Sequence, residues 1–249
     1  MRNKFYKSMM LMSVILIPIL FSCATTQQKA VAYNNRGITY VEKGQYDEAI
    51  SEFSKAIEIS PKYAMAYNNL GAAYNEKGQY DQGISEFNKA IEISPRFAMA
   101  YANRGSAYRG KGQYDQAISN YNKAIEIDPN FAGAYNNRGK TYSHKGEYDQ
   151  AISDYTRALQ INPRHFLAYN NRGSAYSDKG EHDQAILDFS KAIEINPRYG
   201  EAYYNRGRSH YLKKEYDKSW KDIKKAQDLG YKIPAEFLED LRKASGRQD

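Results

Sequence analysis

The sequence predicts an all-α chain in which six helix–turn–helix units of 34 residues follow one another as a solenoid. Three observations carry that prediction. A Tyr-x-x-x-Gly phrase returns at a constant interval, apolar residues fall at helical spacing on both sides of each turn, and glycine and proline punctuate every unit at fixed places. Composition points the same way: 24 tyrosines stand beside nine phenylalanines and one tryptophan, as expected when one structural position is used repeatedly.

The interval is set by Tyr33/Gly37, Tyr67/Gly71, Tyr101/Gly105, Tyr135/Gly139, Tyr169/Gly173 and Tyr203/Gly207, each pair 34 residues from the next. The units therefore run 30–63, 64–97, 98–131, 132–165, 166–199 and 200–233. Positions 4, 8 and 11 of a unit (Tyr67, Gly71 and Tyr74 in the second) mark the apolar stripe of a first helix. Glycine at position 15 (Gly44, Gly78, Gly112, Gly146, Gly180) tolerates a left-handed backbone and ends that helix. Aspartate at position 18, from Asp47 to Asp217, opens a second helix where negative charge suits the dipole. The second stripe falls at positions 17, 20, 21, 24, 27 and 28, as in Tyr46, Ala49, Ile50, Phe53, Ala56 and Ile57. Proline at position 32 (Pro61, Pro95, Pro129, Pro163, Pro197) disfavours helix in the residue before it and closes the unit.

An aromatic at 4, Gly at 8, Tyr at 11, Ala at 20, an aromatic at 24, Ala at 27 and Pro at 32 together resemble the tetratricopeptide repeat. That resemblance implies antiparallel helix pairs stacked in a right-handed superhelix, with the first helices lining a concave groove. Position 7 departs from the family pattern: leucine is usual, but only Leu70 keeps it, against Arg36, Arg104, Arg138, Arg172 and Arg206. Such an arginine packs its stem at the edge of the stripe while its head seeks an acceptor. Gly83 replaces alanine at position 20 of unit two and reads as a site where alanine would stabilise the helix. Unit six is degenerate, with His210, Lys214, Ser219 and Trp220 at positions held by Tyr, Gly, Ala and Ile elsewhere. A terminal repeat lacks one neighbour, and residues 234–249 read as a capping helix and tail, with Phe237, Leu238 and Leu241 turned inward.

The first 22 residues have the basic start and 13-residue apolar run (9–21) of a secretory signal peptide, too short to span a bilayer with comfort. The run ends in Leu20-Phe21-Ser22-Cys23, which resembles the lipobox of bacterial lipoproteins, with Phe21 where a smaller residue is usual. The resemblance implies that Cys23, the only cysteine, is acylated, that residues 23–29 form a short tether, and that Ala24 directs the protein to the outer membrane, facing the periplasm. Ser22-Cys23-Ala24 also satisfies ordinary signal peptidase, which would give a soluble periplasmic protein, and an uncleaved segment is the third reading. Loss of Arg2, Lys4 and Lys7 with the signal reduces the formal charge from +7 to +4. The remaining Lys and Arg alternate with Asp and Glu, so no stripe suited to a nucleic-acid backbone stands out.

No metal-ligand spacing, phosphate loop or nucleophile elbow is present, so no cofactor and no enzymatic activity is expected. One constellation stands out. Position 6 is asparagine in all six units (Asn35, Asn69, Asn103, Asn137, Asn171, Asn205), on the side of the first helix away from the apolar stripe. Positions 2, 9 and 13 share that face, and position 5 (Asn34, Asn68, Asn136, Asn170) borders it. Asparagine is a poor helix former, yet its amide can pair with both polar groups of a peptide backbone. The column resembles the asparagine ladder in the repeat domain of O-linked N-acetylglucosamine transferases. The expected partner is therefore an extended protein segment held in the groove. The acylated cysteine followed by six repeats also resembles pilus-assembly lipoproteins, which implies a docking scaffold in secretion or pilus assembly. A self-associating envelope solenoid is the second reading.

Overall fold

The computed structural model describes residues 25–247, so the signal segment and Cys23 lie outside the described residues. Within that range the elements are helices joined by turns. Residues 25–42 form α1, followed by α2 (Tyr46–Ile59), α3 (Ala64–Glu76), α4 (Tyr80–Ile93), α5 (Ala98–Gly110) and α6 (Tyr114–Ile127). Then come α7 (Ala132–His144), α8 (Tyr148–Ile161), α9 (Phe166–Asp178), α10 (His182–Ile195), α11 (Gly200–Leu212), α12 (Tyr216–Asp228) and α13 (Ala235–Ser245). Two compact halves result, one carrying α1–α6 and the other α7–α13. Within each half, first helices pack on the second helices of their own unit and of the preceding one. First helices of adjacent units also touch, as α3 does α5 and α9 does both α7 and α11.

The turns follow from the glycines at position 15, whose φ runs from 72° to 83°. The residue after each glycine donates its N–H to the position-11 carbonyl, as Gln45 does to Tyr40 and Gln79 to Tyr74, both at 2.9 Å. This is the six-residue closure that satisfies a helix C-terminus. Unit six keeps the bond from Glu215 to His210 (2.9 Å) but has Lys214 at φ 63°, a non-glycine in the left-handed region. Lys214→Gly is expected to stabilise the C-terminal half by about 1 kcal/mol, because the side-chain penalty of that conformation disappears. Thermal unfolding measures it, and an unchanged or lower midpoint would count against the strain.

Small residues let the helices close. The alanines at positions 20 and 27 are fully buried, as are the aromatics at 24, from Phe53 to Phe189. Position 8 must be glycine: a methyl at Gly139 would stand 2.9 Å from the Tyr155 ring and 3.1 Å from the Ala151 carbonyl oxygen. The first-helix stripe lies closer to positions 3 and 10 than to the tyrosines at 4. Ala66, Ala100, Ala134, Ala168 and Ala202 are fully buried, as are Thr141 and Ser209, whereas most position-4 tyrosines are half-buried. The sequence hides this because alanine carries little hydrophobic signal.

The C-terminal segment forms α13 as expected. Leu241 is fully buried, while Phe237 and Leu238 are half-buried, Phe237 meeting the rings of Tyr204 and Tyr211 edge-on. Counted in the 34-residue frame, α13 stands in the register of a first helix. Arg247 falls at position 14 and pairs with Asp217 at 2.7 Å, as Lys179 at the same position pairs with Asp149. Trp220 Nε1 donates to Ser245 Oγ at 3.0 Å and fixes the cap to α12.

Candidate functional site

The arginines at position 7 find their acceptors sixteen residues downstream, at position 23 of the unit, on its second helix. Arg138 donates from Nε and Nη2 to both oxygens of Asp154 (2.7 and 2.6 Å), Arg172 likewise to Asp188, and Arg206 to Asp222. Arg36 donates to Glu52 at 2.6 Å. Beneath each guanidinium lies the position-4 tyrosine of the same helix, with centroids 4.2–5.7 Å away. A further N–H of Arg172 and of Arg206 reaches the preceding unit, at Thr156 and Ser190 (3.0 Å each). The hydrogen bonds these arginines donate to the carboxylates raise the pKa of Arg138, Arg172 and Arg206 above the ordinary arginine value. Burial pushes the Asp154 carboxyl up despite its arginine, so desolvation offsets part of the attraction within the pair.

The asparagines form a ladder between units. In the N-terminal half, Asn69 donates from Nδ2 to Asn34 Oδ1 and Asn103 to Asn68 Oδ1, both at 2.9 Å. In the C-terminal half, Asn171 donates to Asn136 and Asn205 to Asn170, both at 3.1 Å. Each rung joins position 6 of one unit to position 5 of the unit before. The position-5 residues Asn34, Asn68, Asn136 and Asn170 are 8% exposed or less. The structure therefore places these four inside the unit junctions rather than at the border of a groove. The position-6 residues are half-buried, apart from the exposed Asn35. A primary amide that spends one N–H on a rung still has its second N–H and its carbonyl lone pairs. Unit three has Ala102 at position 5 and lacks the acceptor.

Beside position 6, at i−4 and i+3 on the same helical face, the two halves differ. In the N-terminal half, Val31, Met65 and Met99 occupy position 2 of three successive units and are 36–44% exposed, with Ile38 at position 9 exposed to a similar degree. Three large apolar side chains at one repeated, solvent-facing position form a row, which carries more meaning than scattered exposed residues. The corresponding positions of the C-terminal half hold Gly133, Leu167 and Glu201 at 2 and Lys140, Ser174 and Arg208 at 9, a more polar and more basic face. Position helped by periodicity alone would not have separated the two; side-chain identity along the column does.

No grouping of His, Cys, Asp and Glu among the described residues could hold a metal ion, and no described helix is long and apolar enough to cross a membrane. His210 Nδ1 lies 2.7 Å from Glu215 Oε2, a structural contact closing the last turn.

Tetratricopeptide-repeat patterns match residues 64–97, 132–165 and 166–199 in one form, 86–119 in a second, and 37–75 and 105–145 in a third, a continuous span from 37 to 199. Among solved structures, MamA is 31% identical, with 65% of this chain and 95% of that one covered and a TM-score of 0.55. YrrB, described as a TPR protein with an unusual peptide-binding site, is 24% identical, covering 78% and 97%, at a TM-score of 0.58. The pilF protein of Pseudomonas aeruginosa is 18% identical, covering 88% and 99%, at a TM-score of 0.75. At those identities the last two bear on the fold alone. Comparison with curated proteins gives no match.

Proposed function

The chain belongs to the tetratricopeptide-repeat family, a scaffold suited to protein–protein interaction, and from that premise we propose that it binds an extended partner segment on its first-helix face while a lipid on Cys23 holds it to the bacterial envelope. The observation that carries the binding half is the exposed apolar row Val31, Met65 and Met99 beside the asparagines of position 6. The row takes alternate apolar side chains of the segment, and methionine adapts its shape to several of them. The second N–H of Asn69, and the second N–H and side-chain carbonyl of Asn103, pair with the segment's backbone, whose groups also alternate. A repeat protein of the same fold, YrrB, is described as having a peptide-binding site. The envelope half rests on the sequence of residues 1–23, and recruitment of a component of a secretion or pilus-assembly machine is the setting that fits an anchored scaffold.

Met65→Glu together with Met99→Glu places two charges on the row without touching the core. Against a panel of extended peptides, the wild-type chain should bind apolar-rich members, and the variant should lose roughly tenfold or more in affinity with an unchanged melting curve. Equal binding by both chains would remove the row from the site. Two acyl signals at one residue give stable attachment where one chain binds marginally, so Cys23→Ser should move the protein from the membrane fraction to the soluble one, or leave the precursor uncleaved. Identical fractionation and processing of the two forms would end the anchor proposal.

A further inference from the structure

Four of the five position-7 arginines are matched by a carboxylate at position 23: Glu52, Asp154, Asp188 and Asp222. The exception is Arg104. Its Nε donates to Asn120 Oδ1 at 2.7 Å and its Nη1 to Asn88 Oδ1 at 2.6 Å, and among the described residues no carboxylate pairs with it. The amide cannot simply be turned round, because Asn120 Nδ2 is held by the Gln116 carbonyl oxygen at 2.8 Å and the side chain is 8% exposed. A neutral amide thus stands in the carboxylate's place with the carboxylate's geometry, and the guanidinium charge is left uncompensated.

That charge borders a cavity of about 440 Å³ lined by Tyr101, Arg104, Ser119, Asn120, Asn122, Lys123 and Glu126. The Tyr101 ring lies under the guanidinium, 5.2 Å from centroid to Cζ. Lys123 is engaged by Glu126 at 2.7 Å, so these two cancel and the cavity keeps one net positive charge. In units one and two the lysine at this position turns instead to the acidic residue at position 23, as Lys55 does to Glu52 and Lys89 to Glu86. Arg104 spends two of its five N–H groups on the asparagines, one from Nε and one from Nη1, and both N–H groups of Nη2 remain as donors for an oxygen-bearing group.

We propose that this cavity of unit three is an oxyanion-binding site, in which Arg104 takes a carboxylate or phosphate end-on, with the Ser119 hydroxyl as a further donor. It shares no residue with the apolar row and stands apart from the peptide-binding reading. The decisive variant is Asn120→Asp, which restores the carboxylate that Arg138 and Arg172 already have and should fold as units four and five do. Titration calorimetry at constant ionic strength uses inorganic phosphate in one arm and N-acetyl-aspartate, a stand-in for a polypeptide carboxylate, in the other. The full chain should bind at least one probe saturably, and Asn120→Asp should weaken that binding roughly tenfold or more. Response to phosphate alone marks a free anion as the ligand, and response to the carboxylate marks an acidic residue of a polypeptide. Should Asn120→Asp fail to give the wild-type circular dichroism spectrum, Arg104→Gln takes its place with the same expected loss. Failure of both probes to saturate, or equal binding by the variant, overturns the site.

Discussion

Asp154→Ala is expected to cost the C-terminal half about 3 kcal/mol or more, because it removes one partner of a buried ion pair. The loss does not measure the worth of the pair. Bringing Arg138 and Asp154 out of water already offsets much of their attraction, and their side chains are only 19% and 7% exposed. What alanine adds is a guanidinium held in place by the Tyr135 ring with its bidentate acceptor gone. Asp154→Asn separates charge from geometry, because it recreates the Arg104–Asn120 arrangement that the chain already carries in unit three. The amide should cost roughly 1 kcal/mol, near the value of an ordinary hydrogen bond. Urea unfolding followed by circular dichroism gives both numbers. If alanine and asparagine prove equally costly, charge dominates the clasp; if both are nearly silent, the pair is solvated in solution and the clasp is idle.

Much of the fold was legible in residues 30–233 because each unit repeats the same decision. The glycines at 15 are found with positive φ, the prolines at 32 follow the end of every second helix they mark, and α13 caps the last unit. The contents of the junctions were harder to read. Position 23 is polar in every unit and stands beside a buried residue at position 24, aromatic in five units and Ile223 in the sixth, a signal for a buried acceptor, but which arginine reaches it depends on how two helices cross. Gly83 shows a second limit. Alanine is the better helix former there, yet the space its methyl would fill is held by the amide of Asn75, whose Nδ2 donates to the Asn103 carbonyl at 3.4 Å. Units four and five combine Ala151 and Ala185 with the smaller Ser143 and Ser177 at Asn75's position. Glycine and asparagine in unit two therefore fill one space together, and a methyl at Gly83 requires the Asn75 side chain to move.

The same lesson applies to the asparagine column, and Asn170→Ala tests it most sharply. Asn170 is 2% exposed, accepts from Asn205 at 3.1 Å, and donates from Nδ2 to Glu201 Oε1 at 3.2 Å and to the Tyr199 hydroxyl at 3.5 Å. Tyr199 in turn donates to Glu201 Oε2 at 2.8 Å, so one amide ties α9 to a small network at the start of α11. Alanine returns a few tenths of a kcal/mol in helix propensity and fits the backbone, since Ala102 occupies the equivalent position of unit three. Against that gain stand three lost partners in a nearly dry junction, and a net loss of about 1–3 kcal/mol is expected, read as a lower urea midpoint. Placed at the border of a groove, as sequence alone suggested, Asn170 would give the opposite signature: stability held or raised, with affinity for a bound peptide reduced. A junction amide lowers stability whether or not a peptide is present. Unchanged stability in the alanine variant would return position 5 to the binding surface and leave the ladder without an energetic role.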